Sequence, residues 1–113
     1  MARKVSLARA VRVTAPAGGT EQGRFYLIDG YFGMALQTAA EGEPVVLEIE
    51  RAVYETSQIK ADDAFYFGER VYFDADAGLL TTDDGGGANR LVGRVWRAKD
   101  AQGTIEFVLT GGA

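Results

Sequence analysis

The chain has 113 residues, 47% hydrophobic and 25% charged, with a formal net charge of −4, a composition that fits one folded globular domain and argues against wholesale disorder or a second domain. It contains neither cysteine nor histidine, which removes disulfides, thiolate nucleophiles, the usual general base of neutral pH and the commonest zinc ligand. The charge is unevenly placed: Arg3, Lys4, Arg9 and Arg12 give the first twelve residues +4 with no acid among them, and the remainder carries 8 basic against 16 acidic side chains, or −8.

Residues 1–12 therefore read as an extended basic arm, and 13–110 as a β-domain with an acidic surface. An acidic body repels nucleic acid, and four arm charges support only weak, salt-sensitive binding to it, so no nucleic-acid partner is expected. No apolar run approaches the roughly 18 to 20 residues of a membrane span, and Met1–Val13 lacks the apolar stretch of a signal peptide. No membrane contact is expected, and synthesis is expected in the cytoplasm. A domain this short buries a modest share of its surface, which favours support from partner subunits.

Short runs of β-branched and aromatic residues, separated by Gly, Asp, Pro and Ala clusters, predict strands throughout. Val11–Ala15 alternates and stops at Pro16-Ala17-Gly18-Gly19. Arg24–Ile28 and Tyr31–Leu36 flank Asp29-Gly30, the signature of a hairpin, and Gly33 within the second run marks a bulge or a close backbone approach. After the turn at Glu41-Gly42-Glu43-Pro44, Val45, Leu47 and Ile49 alternate with Val46, Glu48 and Glu50, so one face is core. Ala52–Glu55 is expected to prolong that strand or pair beside it.

Residues 56–69 are expected to be a loop. Arg70–Asp74 and Leu79–Thr82 form a second hairpin around Ala75-Asp76-Ala77-Gly78, followed by a flexible loop over Asp83–Asn89. Leu91–Ala98 and Thr104–Leu109 make a last hairpin around Lys99–Gly103. The pattern predicts an all-β fold, a small single-domain β-barrel or β-sandwich of about seven to nine short strands.

The candidate chemistry is thin. Asp74-Ala75-Asp76-Ala77-Gly78 has the opening of a calcium loop but lacks the third acid, and Gly85 stands where a bidentate Glu belongs. Its Asp and Gly residues suit a hairpin turn instead. Asp83-Asp84-Gly85-Gly86-Gly87 has no following Lys-Ser/Thr, and its two acids would repel a phosphate. With two serines and no histidine, no nucleophilic triad can be assembled. Lysine catalysis would need Lys60 or Lys99 with a perturbed pKa. The expectation is no enzymatic activity, no catalytic residue, no metal and no cofactor. The twelve aromatics are core by default, but Phe65-Tyr66-Phe67 cannot all point inward from an extended chain. These three are the candidate subunit interface.

The order of short phrases resembles the phage capsid cement, or head-decoration, family, long catalogued as a domain of unknown function and often mislabelled recombinase-like. Val13-Thr14-Ala15-Pro16-Ala17-Gly18-Gly19 resembles the family's opening strand and turn, and Phe32-Gly33-Met34-Ala35 its Phe-Gly-Val-Ala hairpin. Glu41-Gly42-Glu43 with Val45–Glu50 is similar to the next turn and strand, and Ala52-Val53-Tyr54-Glu55 to a Gly-Val-Phe-Glu phrase. Val71-Tyr72-Phe73-Asp74, with Ala77-Gly78 and Leu80-Thr81-Thr82, resembles a hairpin that normally reads Val-Tyr-Trp-Asp, and Leu91–Val95 the closing strand. Three departures stand out: Phe73 replaces the usual Trp, a Gly-Asp pair before the first strand is missing, and the arm is unusually basic.

The resemblance implies a structural virion protein on the outer surface of a tailed-phage or phage-like capsid, stabilising it by bridging neighbouring major capsid protein subunits. It also implies self-association as a trimer or dimer. The arm residues Arg3, Lys4, Arg9 and Arg12 would then face capsid carboxylates. The competing reading is a surface-displayed receptor- or carbohydrate-binding module that uses exposed aromatics.

Overall fold

A computed structural model describes residues 2–3 and 9–110. Nine strands follow in chain order: β1 Ala10–Thr14, β2 Phe25–Ile28, β3 Tyr31–Ala35, β4 Pro44–Glu48, β5 Val53–Thr56, β6 Arg70–Asp74, β7 Leu79–Thr81, β8 Arg90–Arg97 and β9 Ile105–Leu109. They form two antiparallel sheets, β1-β4-β3-β2 and β5-β9-β8-β6-β7, with no closed barrel. The expected all-β class is the observed one, as a pair of packed open sheets.

The two sheets meet through one aromatic-rich core. Phe25 and Phe32 of the first sheet pack with Tyr54, Val71, Phe73, Val95, Ile105, Phe107 and Leu109 of the second. A second cluster, Val13, Ala15, Ile28, Ala35, Ala39, Val45 and Leu47, lies within the first sheet and its turns. The register explains how one sheet serves both clusters. Phe25 opposes Met34 and Leu27 opposes Phe32, whereas Ile28 opposes Tyr31 and Ala35 opposes Leu47, so alternate residues face opposite sides.

Ala52–Glu55 neither prolongs β4 nor pairs beside it. β4 ends at Glu48, and Val53–Thr56 crosses to the other sheet, where Tyr54 opposes Phe107. The crossing buries the Tyr54 ring in the shared core while its hydroxyl donates to the Glu50 carbonyl at 3.1 Å. Burial raises the Tyr54 pKa to about 12, with the charges of Glu48 and Glu50 adding to it.

Two glycines sit where backbones approach too closely for a side chain. A methyl at Gly33 would overlap the Glu48 carbonyl oxygen, and one at Gly93 the Val108 carbonyl oxygen. The close approach expected at Gly33 is thus present. The Asp83–Asn89 loop is not an unstructured tip: Asp83 and Asp84 carboxylates accept from the Gly85 and Gly86 N–H groups and shape a 3₁₀ turn over Gly85–Gly87. Asp74 does the same for its hairpin, accepting from Asp76 and Ala77 N–H groups at 3.0 and 3.2 Å.

Gln58 fastens the sheets together from within the 57–69 loop. Its Oε1 accepts from the Phe25 N–H at 2.8 Å, and its Nε2 donates to the carbonyls of Phe25 and Gly78, each at 2.9 Å. The side-chain amide thus replaces a missing peptide on the outer edge of β2 and ties it to the β6–β7 turn. Gln58→Ala leaves three backbone groups unpartnered, and urea denaturation is expected to show a loss of about 2–4 kcal/mol. Gln58→Glu is expected to be no milder at neutral pH, because a carboxylate cannot donate to either carbonyl.

Candidate interaction surfaces

Among the described residues, the basic side chains assigned to the arm stand in different settings. Arg3 is exposed, and Lys4 lies outside the described residues. Arg9 precedes β1, with its carbonyl accepting from the Ile49 N–H and its guanidinium 3.9 Å from Glu50. Arg12 is not in an arm: it stands inside β1, opposite Val46, with its side chain exposed. Alternation puts Arg9 and Arg12 on opposite faces. The sheet begins at Ala10 because Val11 and Val13 face Leu47 and Val45 across the β1–β4 ladder.

The aromatic triplet also divides. Phe65 is 2% exposed and belongs to the shared core, so it is withdrawn from any intersubunit contact. Tyr66 and Phe67 are 67% and 78% exposed. A tight turn holds them out, with the Glu69 carboxylate accepting from the Tyr66 N–H at 2.8 Å and the Arg94 guanidinium donating to the Gly68 carbonyl at 2.9 Å.

Trp96 joins this surface, although the default assignment made it core. It is 54% exposed on β8 at an irregularity between Val95 and Arg97. Backbone bonds from Val95 to Glu69, from Gly68 to Val95 and from Lys99 to Phe65 lay the 65–69 segment beside β8. Tyr66, Phe67 and Trp96 thereby occupy neighbouring stretches at one end of the second sheet. The signal was present in the sequence: Arg94-Val95-Trp96 alternates, and a buried Val95 puts Trp96 on the outside with Arg94.

The titratable groups are engaged structurally. Lys60 pairs with Asp74 at 2.8 Å, and its pKa is raised by that hydrogen bond, the opposite of what a lysine nucleophile needs. Lys99 donates to the carbonyls of Ala61 and Asp63 and so closes the 61–66 segment. Arg97 bridges Glu106, Asp100 and Glu55 on the outer face of the second sheet. Among the described residues no three acidic side chains converge as a metal site. A depression of about 280 Å³ lies beside Tyr66, lined by Asp62, Asp63, Phe65 and Lys99.

A two-sheet scaffold with an exposed aromatic ridge, its described polar clusters engaged in turns, sheet ties and surface ion pairs, fits an interaction module. The model of the family described as phage cement protein matches residues 5–111, nearly the whole chain. The chain belongs to the phage cement protein family. Its role is structural and its place is on the phage capsid. Comparison with curated proteins and comparison with solved structures both return no match.

The cement domain's acid sensitivity follows from two carboxylates. A hydrogen bond from Lys60 holds Asp74 below the usual carboxylate range, and the Thr104 N–H, with help from Gln102 and Arg97, does so for Asp100. A carboxylate with a depressed folded pKa contributes stability that is present above its unfolded value, about 4, and lost as pH falls through the folded value. The melting temperature is expected to drop as pH falls from about 5 to about 2. The Asp74→Asn/Asp100→Asn variant is expected to melt lower at neutral pH and to show a shallower decline in acid.

Proposed function

We propose that this cement protein binds the outer face of the shell, bridges neighbouring major capsid protein subunits and thereby resists their separation, with no enzymatic activity. The observation that carries this is the family match across residues 5–111. The surface supports it: an aromatic ridge suits an interface anchor, and among the described residues no side-chain cluster is arranged for turnover. Stapling needs no strong single contact. A patch of about 1,200–2,000 Å² in total, shared over two or more shell subunits, gains affinity because the second contact is intramolecular. In this reading the protein is made in the bacterial host cytoplasm, acts on the virion surface and uses neither nucleic acid nor membrane.

Tyr66 and Phe67, joined by Trp96 and without Phe65, supply the contact between copies in a trimer or dimer. Exposed aromatics of this kind also favour a second reading, a receptor- or carbohydrate-binding module on the particle, which binding to host cells or glycans by the isolated domain would support.

These assignments can be checked by experiment. Mixed with expanded empty shells and sedimented, the protein is expected to pellet stoichiometrically and to raise the shells' resistance to heat; failure to co-sediment would sink the capsid reading. Removing residues 2–8, which spares β1, is expected to weaken binding and leave the melting temperature unchanged. Separately, Tyr66→Ser/Phe67→Ser is expected to shift the protein to monomer in analytical ultracentrifugation at unchanged stability. Phe65→Ala is expected to cost about 3–5 kcal/mol, as a core truncation does.

A further inference from the structure

The four strand edges of the two sheets are treated unequally. On β2, Phe25 turns its N–H and C=O outward, and Gln58 takes both. On β7, Leu80 donates to the Gln58 carbonyl and accepts from the Lys60 N–H, so the 58–60 segment covers that edge. On β5, the Leu109 N–H donates to the Ala52 carbonyl and Tyr54 opposes Phe107. Only Val53 and Glu55 of that strand turn their backbone groups outward, a shorter row than on β1, and the Glu55 side chain carries an ion pair to Arg97.

β1 is different. The Ile49 N–H donates to the Arg9 carbonyl, and the Ala15 N–H to the Glu43 carbonyl. Antiparallel alternation therefore turns residues 9, 11, 13 and 15 toward β4, and Ala10, Arg12 and Thr14 away from it. Among the described residues nothing bonds the outward N–H and C=O groups of these three. Three alternate positions present six backbone groups in line, the longest open edge among the described residues. An exposed edge of this length is a template for another chain.

Charge selects the occupant. Arg12 stands at the centre of the edge, is exposed, and has no carboxylate within ion-pair distance among the described residues. A second copy pairing β1 with β1 in the register that uses all three positions would set Arg12 directly against Arg12, and like charges in opposed positions repel. The basic arm of a neighbour, with Arg3 and Lys4, meets the same objection. Beside Arg12 lies a depression of about 200 Å³ lined also by Gln37, Pro44, Val45 and Val46.

We propose that the outer edge of β1 receives an extended acidic segment of the shell protein as a fifth strand of the first sheet, with a carboxylate of that segment opposite Arg12. This rests on the capsid reading above and specifies how the contact is made. Main-chain bonds to Ala10, Arg12 and Thr14 supply register, and the ion pair at Arg12 supplies selection against self-pairing.

Residue-resolved hydrogen exchange on the protein, free and bound to expanded empty shells, tests it. In the free protein the amides of Val11 and Val13, held by β4, are expected to exchange slowly, and those of Ala10, Arg12 and Thr14 to exchange freely. On the shell these three are expected to slow by about tenfold or more. Binding without that slowing overturns the edge proposal and leaves the capsid reading standing; no binding at all overturns both. Slowing in concentrated free protein without shells assigns the edge to a second copy and overturns the acidic-strand proposal. Arg12→Glu is expected to weaken shell binding by roughly three- to tenfold per site. Thr14→Pro removes one outward N–H while sparing the β1–β4 ladder, and is expected to weaken binding at an unchanged melting temperature. Both variants binding like the unmodified protein overturns the proposal.

Discussion

The aromatic contact between the sheets is the constraint from which most of the domain follows. Phe25 stacks on Phe32 at 5.5 Å and meets Tyr54 and Phe107 edge-on at 5.5 and 5.2 Å, while Phe32 leans on Phe73 at 5.0 Å. Offset and edge-to-face pairs of this kind add about 0.5–1.5 kcal/mol each to the burial of the rings themselves. Their joint geometry fixes where β2 and β3 sit against β5, β6 and β9. Gln58 then satisfies the backbone that this packing leaves at the β2 edge, and Arg90 reaches from β8 to the Gly30 carbonyl at the tip of the β2–β3 hairpin. Without the ring cluster there is no reason for either polar tie to form.

A small domain must economise on buried polar groups, and this one does so by local means. Asp74, Asp83, Asp84 and Asp100 each cap N–H groups within a few residues of themselves. The carboxylate oxygens of these acid-rich turns are directed at their own backbone, as turn chemistry favours. The same economy leaves the outer surface free for contacts. Glu69 and Arg94 brace the turn that holds Tyr66 and Phe67 outward, so little ordering entropy would be lost on covering them.

For the bridging role proposed above, rigidity and multiplicity matter more than the strength of one site. A stiff two-sheet body that presents an aromatic ridge at one end and a strand edge at another can engage separate neighbours at once. Each contact raises the effective concentration of the next. The two features lie on different sheets, the ridge on the one holding β8 and the open edge on the one holding β1, which suits the proposed bridging.

Much of this was legible in the chain itself. Alternation in Val45–Glu50 and Arg70–Asp74, the Asp29-Gly30 turn and the Lys99–Gly103 connection place strands and hairpins, because period-two patterning and turn chemistry are local properties. The absence of histidine and cysteine bears on chemistry directly, and the ordered phrases from Val13 to Val95 identify the family. The partner of β5 was not legible: Ala52–Glu55 follows β4 closely in sequence, and only the long-range burial of Tyr54 against Phe107 sends it to the other sheet. Nor was the division of Phe65 from Tyr66 and Phe67, or the place of Arg12 in a strand rather than an arm, since both depend on which distant residues compete for the same core. Local pattern determined the elements and the family; sheet assignment, the exposed ridge and the open edge were decided only when side chains far apart in sequence had to share one interior.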